Sequence, residues 1–61
     1  MTTNERIMKA AAALKANNIS GRVKGVQVDE YNANIVYIRI QENVAWDISQ
    51  YTINIRTGKV A

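Results

Sequence analysis

Few residues in this chain have side chains suited to chemistry, and their types limit what that chemistry can be. Tyr37 and Arg39 stand two apart, and so do Thr52, Asn54 and Arg56. At strand spacing each set projects from one side of a sheet. A ring there can stack on a nucleic-acid base, guanidinium groups can neutralise phosphates, and amide and hydroxyl groups can add hydrogen bonds. Ile35 has the parity of Tyr37 and adds apolar area, and Trp46 adds more. Tyr, Trp and Arg are also the residues that anchor protein interfaces. The candidate partner-binding set is therefore Ile35, Tyr37, Arg39, Asn54, Arg56 and Trp46. A plainer reading is that Tyr37 is a good β-former on a half-exposed strand. The arginines would then be solvated surface, and Trp46 would cap a small core.

Catalytic parts are missing. The chain has no histidine to act as a base near neutral pH and no cysteine to act as a nucleophile. Ser20 and Ser49 have no obvious activating partner. Asp29 and Glu30 are adjacent, so on a strand they face opposite ways and make a poor acid/base pair. They are expected to solubilise a hairpin end. Thiolate and imidazole ligands for a transition metal are absent, and DEYNAN lacks the spacing and glycine of a calcium loop. Gly21, Gly25 and Gly58 match no nucleotide-binding pattern. The expectation is a protein that is not an enzyme, with no cofactor and no metal.

At 61 residues the chain is read as one domain, 1–61. So small a domain buries only about 60% of its unfolded surface and is marginally stable. Disulfides are impossible without cysteine, which leaves oligomerisation as the common support; a homodimer is expected. The net charge is +3. Its eight basic residues are scattered, so any basic patch must be assembled by folding. The first residues lack the apolar run of a secretory signal, being interrupted by Glu5, Arg6, Lys9 and Lys15. No window approaches the roughly 18 apolar residues of a membrane span. A cytoplasmic protein without membrane contact is expected.

The elements that would position the candidate residues follow from periodicity. Residues 3–17 read as a helix, with Thr2 and Glu5 as a capping box. Ile7, Ala10, Ala11 and Leu14 form its thin apolar face, Arg6, Lys9, Ala13 and Ala16 its outer side, and Asn17-Asn18 a left-handed stop. Residues 22–30 read as a strand. Val23 has the wrong parity for Val26 and Val28, and a bulge at Lys24-Gly25 would return it to the core side. Residues 31–34 read as a hairpin whose asparagines tolerate positive φ. In the strand 34–41, Val36, Ile38 and Ile40 face the core. Past a turn at 41–43, Val44, Trp46 and Ile48 share one parity and Tyr51, Ile53 and Ile55 the other, so a bulge or break is expected at Ser49-Gln50. Thr57-Gly58-Lys59 reads as a terminal turn and Val60 as a last apolar contact. The fold class is α+β: one N-terminal helix on a three-stranded antiparallel meander. One helix covers one sheet face only.

The succession of an Ala-rich helix, GRVKGVQVDEY, IVYIRI and YTINIRTGKVA resembles the PepSY domain, a small helix-plus-meander module. The closest part is Thr57-Gly58-Lys59-Val60 after an apolar strand. Two features depart from that family. Its members usually occur in exported or membrane-attached proteins, often beside peptidases, and an acidic residue is common before the terminal turn, where Asn54 stands. The resemblance implies a non-catalytic interaction or inhibitory module and transfers no functional residue. The sequence as a whole points first to a protein-interaction or regulatory module acting as a homodimer. The alternatives are nucleic-acid binding through the open sheet face and a PepSY-like inhibitor.

Overall fold

A computed structural model describes residues 1–42 and 46–61. Its elements are α1 (Thr3–Ala16), β1 (Arg22–Val28), β2 (Ile35–Gln41), β3 (Ile48–Asn54) and β4 (Lys59–Val60). The strands form one antiparallel sheet in the order β1-β2-β3-β4, and α1 packs on one side of it. The α+β reading holds. The terminal turn, however, belongs to a hairpin. Val60 pairs with Ile53 and Lys59 with Asn54, and Thr52 and Ala61 exchange backbone bonds at 2.9 and 2.8 Å.

The ends of α1 are set by side-chain chemistry. Glu5 N–H donates to Thr2 Oγ1, and Thr2 N–H donates to Glu5 Oε1 at 3.1 Å, completing the capping box. At the other end Asn18 takes φ 59°. Asn18 N–H bonds to Lys15 O and Ile19 N–H to Leu14 O, both near 3.0 Å. This is a Schellman stop, and the Ile19 and Leu14 side chains join the same core.

The face of α1 is rotated from the expected one. Ala10 and Leu14 are buried and Ala13 packs against the core, while Ala11 is exposed. Arg6, expected to face solvent, is half-buried and donates from Nε to Ala33 O at 2.9 Å. That bond ties the first turn to the β1–β2 hairpin and turns the 6-10-13 side inward. Alanine at both 11 and 13 gave no difference in apolar area to oppose it.

The bulge in β1 falls where parity required it. Val23 opposes Ile40 and Gly25 opposes Arg39, leaving Lys24 as the extra residue. The second expected irregularity does not exist. β3 pairs with β2 without a shift from Ile48–Gln41 to Asn54–Ile35. Ile48 simply points to the open face and stays exposed, while Val44 lies outside the described residues.

The β1–β2 hairpin uses side-chain acceptors, not left-handed asparagines. Asp29 Oδ1 accepts from Tyr31 N–H and Asn32 N–H at 2.8 and 2.9 Å, and Asn32 Oδ1 accepts from Asn34 N–H at 2.9 Å. Among described non-glycine residues only Asn18 has positive φ.

The core consists of Ala10, Leu14, Val36, Ile38, Ile40 and Ile53, flanked by Ala13, Ile19, Val28, Tyr51, Ile55 and Val60. Each fully buried Val or Ile contributes about 1.5–3 kcal/mol of burial free energy. Val23 and Val26 lie on this side of the sheet by parity, yet both are exposed. The helix covers β2 and β3 and leaves the β1 margin open.

Candidate functional site

The uncovered sheet face is built by the register of its strands. Gln27, Tyr37 and Thr52 form one cross-strand row. Gly25, Arg39 and Gln50 form the next, and Arg22, Gln41 and Ile48 lie at one end. Ile35, Asn54 and Lys59 lie at the other end. The middle two rows hold a shallow groove of about 170 Å³, lined by Gly25, Val26, Gln27, Tyr37, Arg39 and Gln50.

Tyr37 is half-buried and its hydroxyl donates to Asp29 Oδ2 at 2.6 Å. Asp29 thus receives the Tyr37 hydroxyl on one oxygen and two backbone N–H groups on the other. The Tyr37 bond, then the two backbone donors, hold the Asp29 carboxyl below its ordinary range, with Arg6 adding a smaller pull. The same bond pushes the Tyr37 hydroxyl above its ordinary value. Asp29, expected only to solubilise the hairpin, is what organises it. Its short side chain can cap the following turn in an Asx arrangement where the longer Glu30 does not; the sequence signal was the Asp itself, one residue past β1.

Arg39 is exposed and lies across Gly25. A Cβ at Gly25 would meet Arg39 Nη2 at 2.9 Å and Nε at 3.0 Å, so the absence of a side chain there makes room for the guanidinium. Ile35 is half-buried opposite Asn54. Asn54 Oδ1 accepts from Arg56 N–H at 3.0 Å and Thr57 N–H at 3.3 Å, capping the β3–β4 turn; its amide Nδ2, the donor expected to meet a ligand, takes no part in those two bonds.

Arg56 is not on the face at all. It sits in the turn beyond Asn54, whereas Arg39 opposes Gln50, four residues back along β3. At about 3.3 Å per residue the strand alone separates Gln50 from Asn54 by roughly 13 Å, and Arg56 lies past that in the turn. The structure therefore brings together Ile35, Tyr37 and Arg39, and leaves Arg56 and Trp46 outside the sheet. Trp46 does not cap the core, being 85% exposed just ahead of β3.

The larger apolar exposure lies elsewhere. Val23 is 53% exposed, Val26 41% and Tyr31 95%, all on β1 or just past its end, and Ile48 is 46% exposed. Sequence parity assigned the two valines to the core. The overlooked signal was the narrowness of the helix face, which cannot reach across to an edge strand.

Among the described residues no group of three or more His, Cys, Asp or Glu is placed to hold a metal ion. No helix is long and apolar enough to cross a membrane. Comparison of the chain with protein-family models, curated proteins and solved structures gives no match in any of the three.

Proposed function

We propose that this protein is a non-catalytic interaction module that works as a homodimer. The observation that carries this reading is the apolar surface left open beside so small a core. Val23, Val26 and Tyr31 gather at the β1 margin, with Trp46 and Ile48 at the far corner of the sheet. Six buried core residues among those described, in a 61-residue chain, give little stability to spare. Covering this surface with a second chain adds burial without lengthening the polypeptide. An inhibitory role of the PepSY kind is a variant of the same reading, since it too is contact with another chain.

The test is the mass in solution. Light scattering or sedimentation across micromolar concentrations should give twice the 6.8 kDa of the chain. A monomer throughout the range overturns the reading.

One observation favours a second reading. The open face presents Arg22 and Arg39 with Gln27, Gln41, Gln50 and Thr52, a combination suited to a polyanionic backbone. Binding of a single-stranded oligonucleotide that weakens steeply with salt, and that Arg39→Ala reduces, would support it. Unchanged binding in Arg39→Ala removes the face from that account.

A further inference from the structure

We infer that two copies of this chain pair through β1, antiparallel about a two-fold axis at Gln27, to give one continuous sheet across the dimer. This rests on the homodimer reading and adds which surface, which register and which residues meet.

Backbone geometry identifies the surface. Among the described residues β1 is an outer strand of the sheet, partnered only by β2, and the other outer strand, β4, is two residues long. Asp29 N–H bonds to Ile35 O at 3.1 Å, so that rung directs its polar groups toward β2. Antiparallel ladders alternate, so Gln27 and Gly25 also direct theirs toward β2. Val26 and Val28 must then turn N–H and C=O outward. An open row of this kind is a template for another strand. At the Gly25 end the row stops at the bulge.

Side chains select the register. With Gln27 opposite itself, Val26 of each copy opposes Val28 of the other, giving four backbone hydrogen bonds between outward-facing groups. The apolar margin that α1 leaves open is then covered by the same margin of the second copy.

Charge fits the same arrangement. β1 begins with Arg22 and Lys24 and is followed by Asp29 and Glu30. An antiparallel pair places the basic start of one strand beside the acidic end of the other at both ends of the pairing. A parallel pair would place like charges together. Among the described residues β3 also has an open stretch, Ile48–Tyr51, beyond its pairing with β4. That stretch carries no charge to set a register.

The chain contains no cysteine, so single-cysteine variants report without background. Residues facing each other at a non-hydrogen-bonded position lie about 4.5 Å apart at Cα, within the range a disulfide spans. Gln27 is exposed on the open side, so replacing it leaves the core untouched. Under mild oxidation Gln27→Cys should become a covalent dimer, while Gln50→Cys, exposed on β3 of the same face, should stay uncrosslinked. In parallel, Lys24→Glu and Glu30→Lys should each weaken dimerisation by about tenfold, and the double variant should restore it, because opposite charges again meet at both ends of the antiparallel pair. A protein that is dimeric by mass but does not crosslink through Gln27→Cys overturns this interface and leaves the homodimer reading standing. Single charge variants that weaken the dimer without rescue in the double variant overturn the antiparallel orientation. A protein that is monomeric by mass overturns both the interface and the reading beneath it.

Discussion

Tyr37 donates its hydroxyl to Asp29 across the open face at 2.6 Å, so the ring at the centre of that face is also a brace for the β1–β2 hairpin. Asp29 spends its other oxygen on the Tyr31 and Asn32 N–H groups. The hairpin in turn accepts Arg6 from the helix through Ala33 O. Helix, hairpin and open face are thus joined through one carboxylate and one guanidinium.

That brace makes the fold sensitive to acid. The Asp29 carboxyl is held below its ordinary value, which is about 3.9 in an unfolded chain. Its contribution is present above the unfolded value and is lost as pH falls through the lower, folded one. Asp29→Ala should melt below the wild type at pH about 7, and the difference should narrow as pH falls through the lowered, folded value. Glu5 is shifted the same way by the Thr2 backbone and side chain, so the comparison is between variant and wild type at each pH. Circular dichroism melts supply it. A difference that stays constant with pH would mean that the carboxylate charge plays no part.

At the alkaline end the sign reverses. The bond to Asp29 raises the Tyr37 hydroxyl above its ordinary value of about 10. Its contribution is complete below that value and is lost as pH rises through the higher, folded one. Tyr37→Phe keeps the ring and removes the bond, so its melting temperature should lie below wild type at neutral pH and converge with it as pH rises through the raised, folded value. Tyr51, held up by its bond to Glu42, moves the same way, and a Tyr51→Phe background isolates the Tyr37 effect. If Tyr37→Phe instead left stability untouched and changed self-association, the hydroxyl would belong to an interface.

The regular elements were legible because side-chain type and spacing specify them. Thr2 and Glu5 announce the helix start, Asn17-Asn18 its end, and the misplaced Val23 its bulge. The rotation of α1 was not legible, because Ala11 and Ala13 are chemically identical and the deciding contact, Arg6 to Ala33, spans 27 residues. The expected β3 irregularity rests on Val44, Trp46 and Ile48 sharing one parity and on the assumption that such apolar residues must be buried. On a two-sided sheet with one helix that assumption fails. The candidate site was legible as a face but not as a set: parity placed Ile35, Tyr37 and Arg39 together correctly, yet could not show that the strand ends before Arg56.

Gly21 marks a close approach that no side chain can share. Its φ is +147°, and a Cβ there would collide with the Gln41 carbonyl and come within 2.6 Å of Ile40 Cγ2. Gly21→Ala should cost about 2–4 kcal/mol, as backbone strain and overpacking act together. Gly58 has φ +78° but open space around it, so Gly58→Ala should cost only about 1–2 kcal/mol from the left-handed conformation. Urea midpoints of the two variants measure the gap. Equal costs would mean that the junction between α1 and β1 yields where it is expected to be rigid.

Gly25 makes a softer test of the open face. A Cβ there meets only the end of the Arg39 side chain, which can swing away. Gly25→Ala should therefore fold with a stability change below about 1 kcal/mol while displacing the guanidinium. If the face binds a polyanion, Gly25→Ala should weaken oligonucleotide binding as Arg39→Ala does. Full binding with a displaced Arg39 would place the contact elsewhere.

Ile53 is fully buried at the crossing of the helix and the central strands, and pairs with both Val36 and Val60. Truncating a buried isoleucine to alanine costs about 2–5 kcal/mol. A chain of this size has on the order of 3–9 kcal/mol in all, so Ile53→Ala should be largely unfolded at low concentration. Ile53→Val, at about 0.5–1.5 kcal/mol, should fold and melt a few degrees lower. If folding and association are linked, raising the concentration should restore structure to Ile53→Ala and raise the melting temperature of Ile53→Val, because a second copy binds only the folded state. A melting temperature for Ile53→Val that is independent of concentration would uncouple folding from association, and the small core would then stand without a partner.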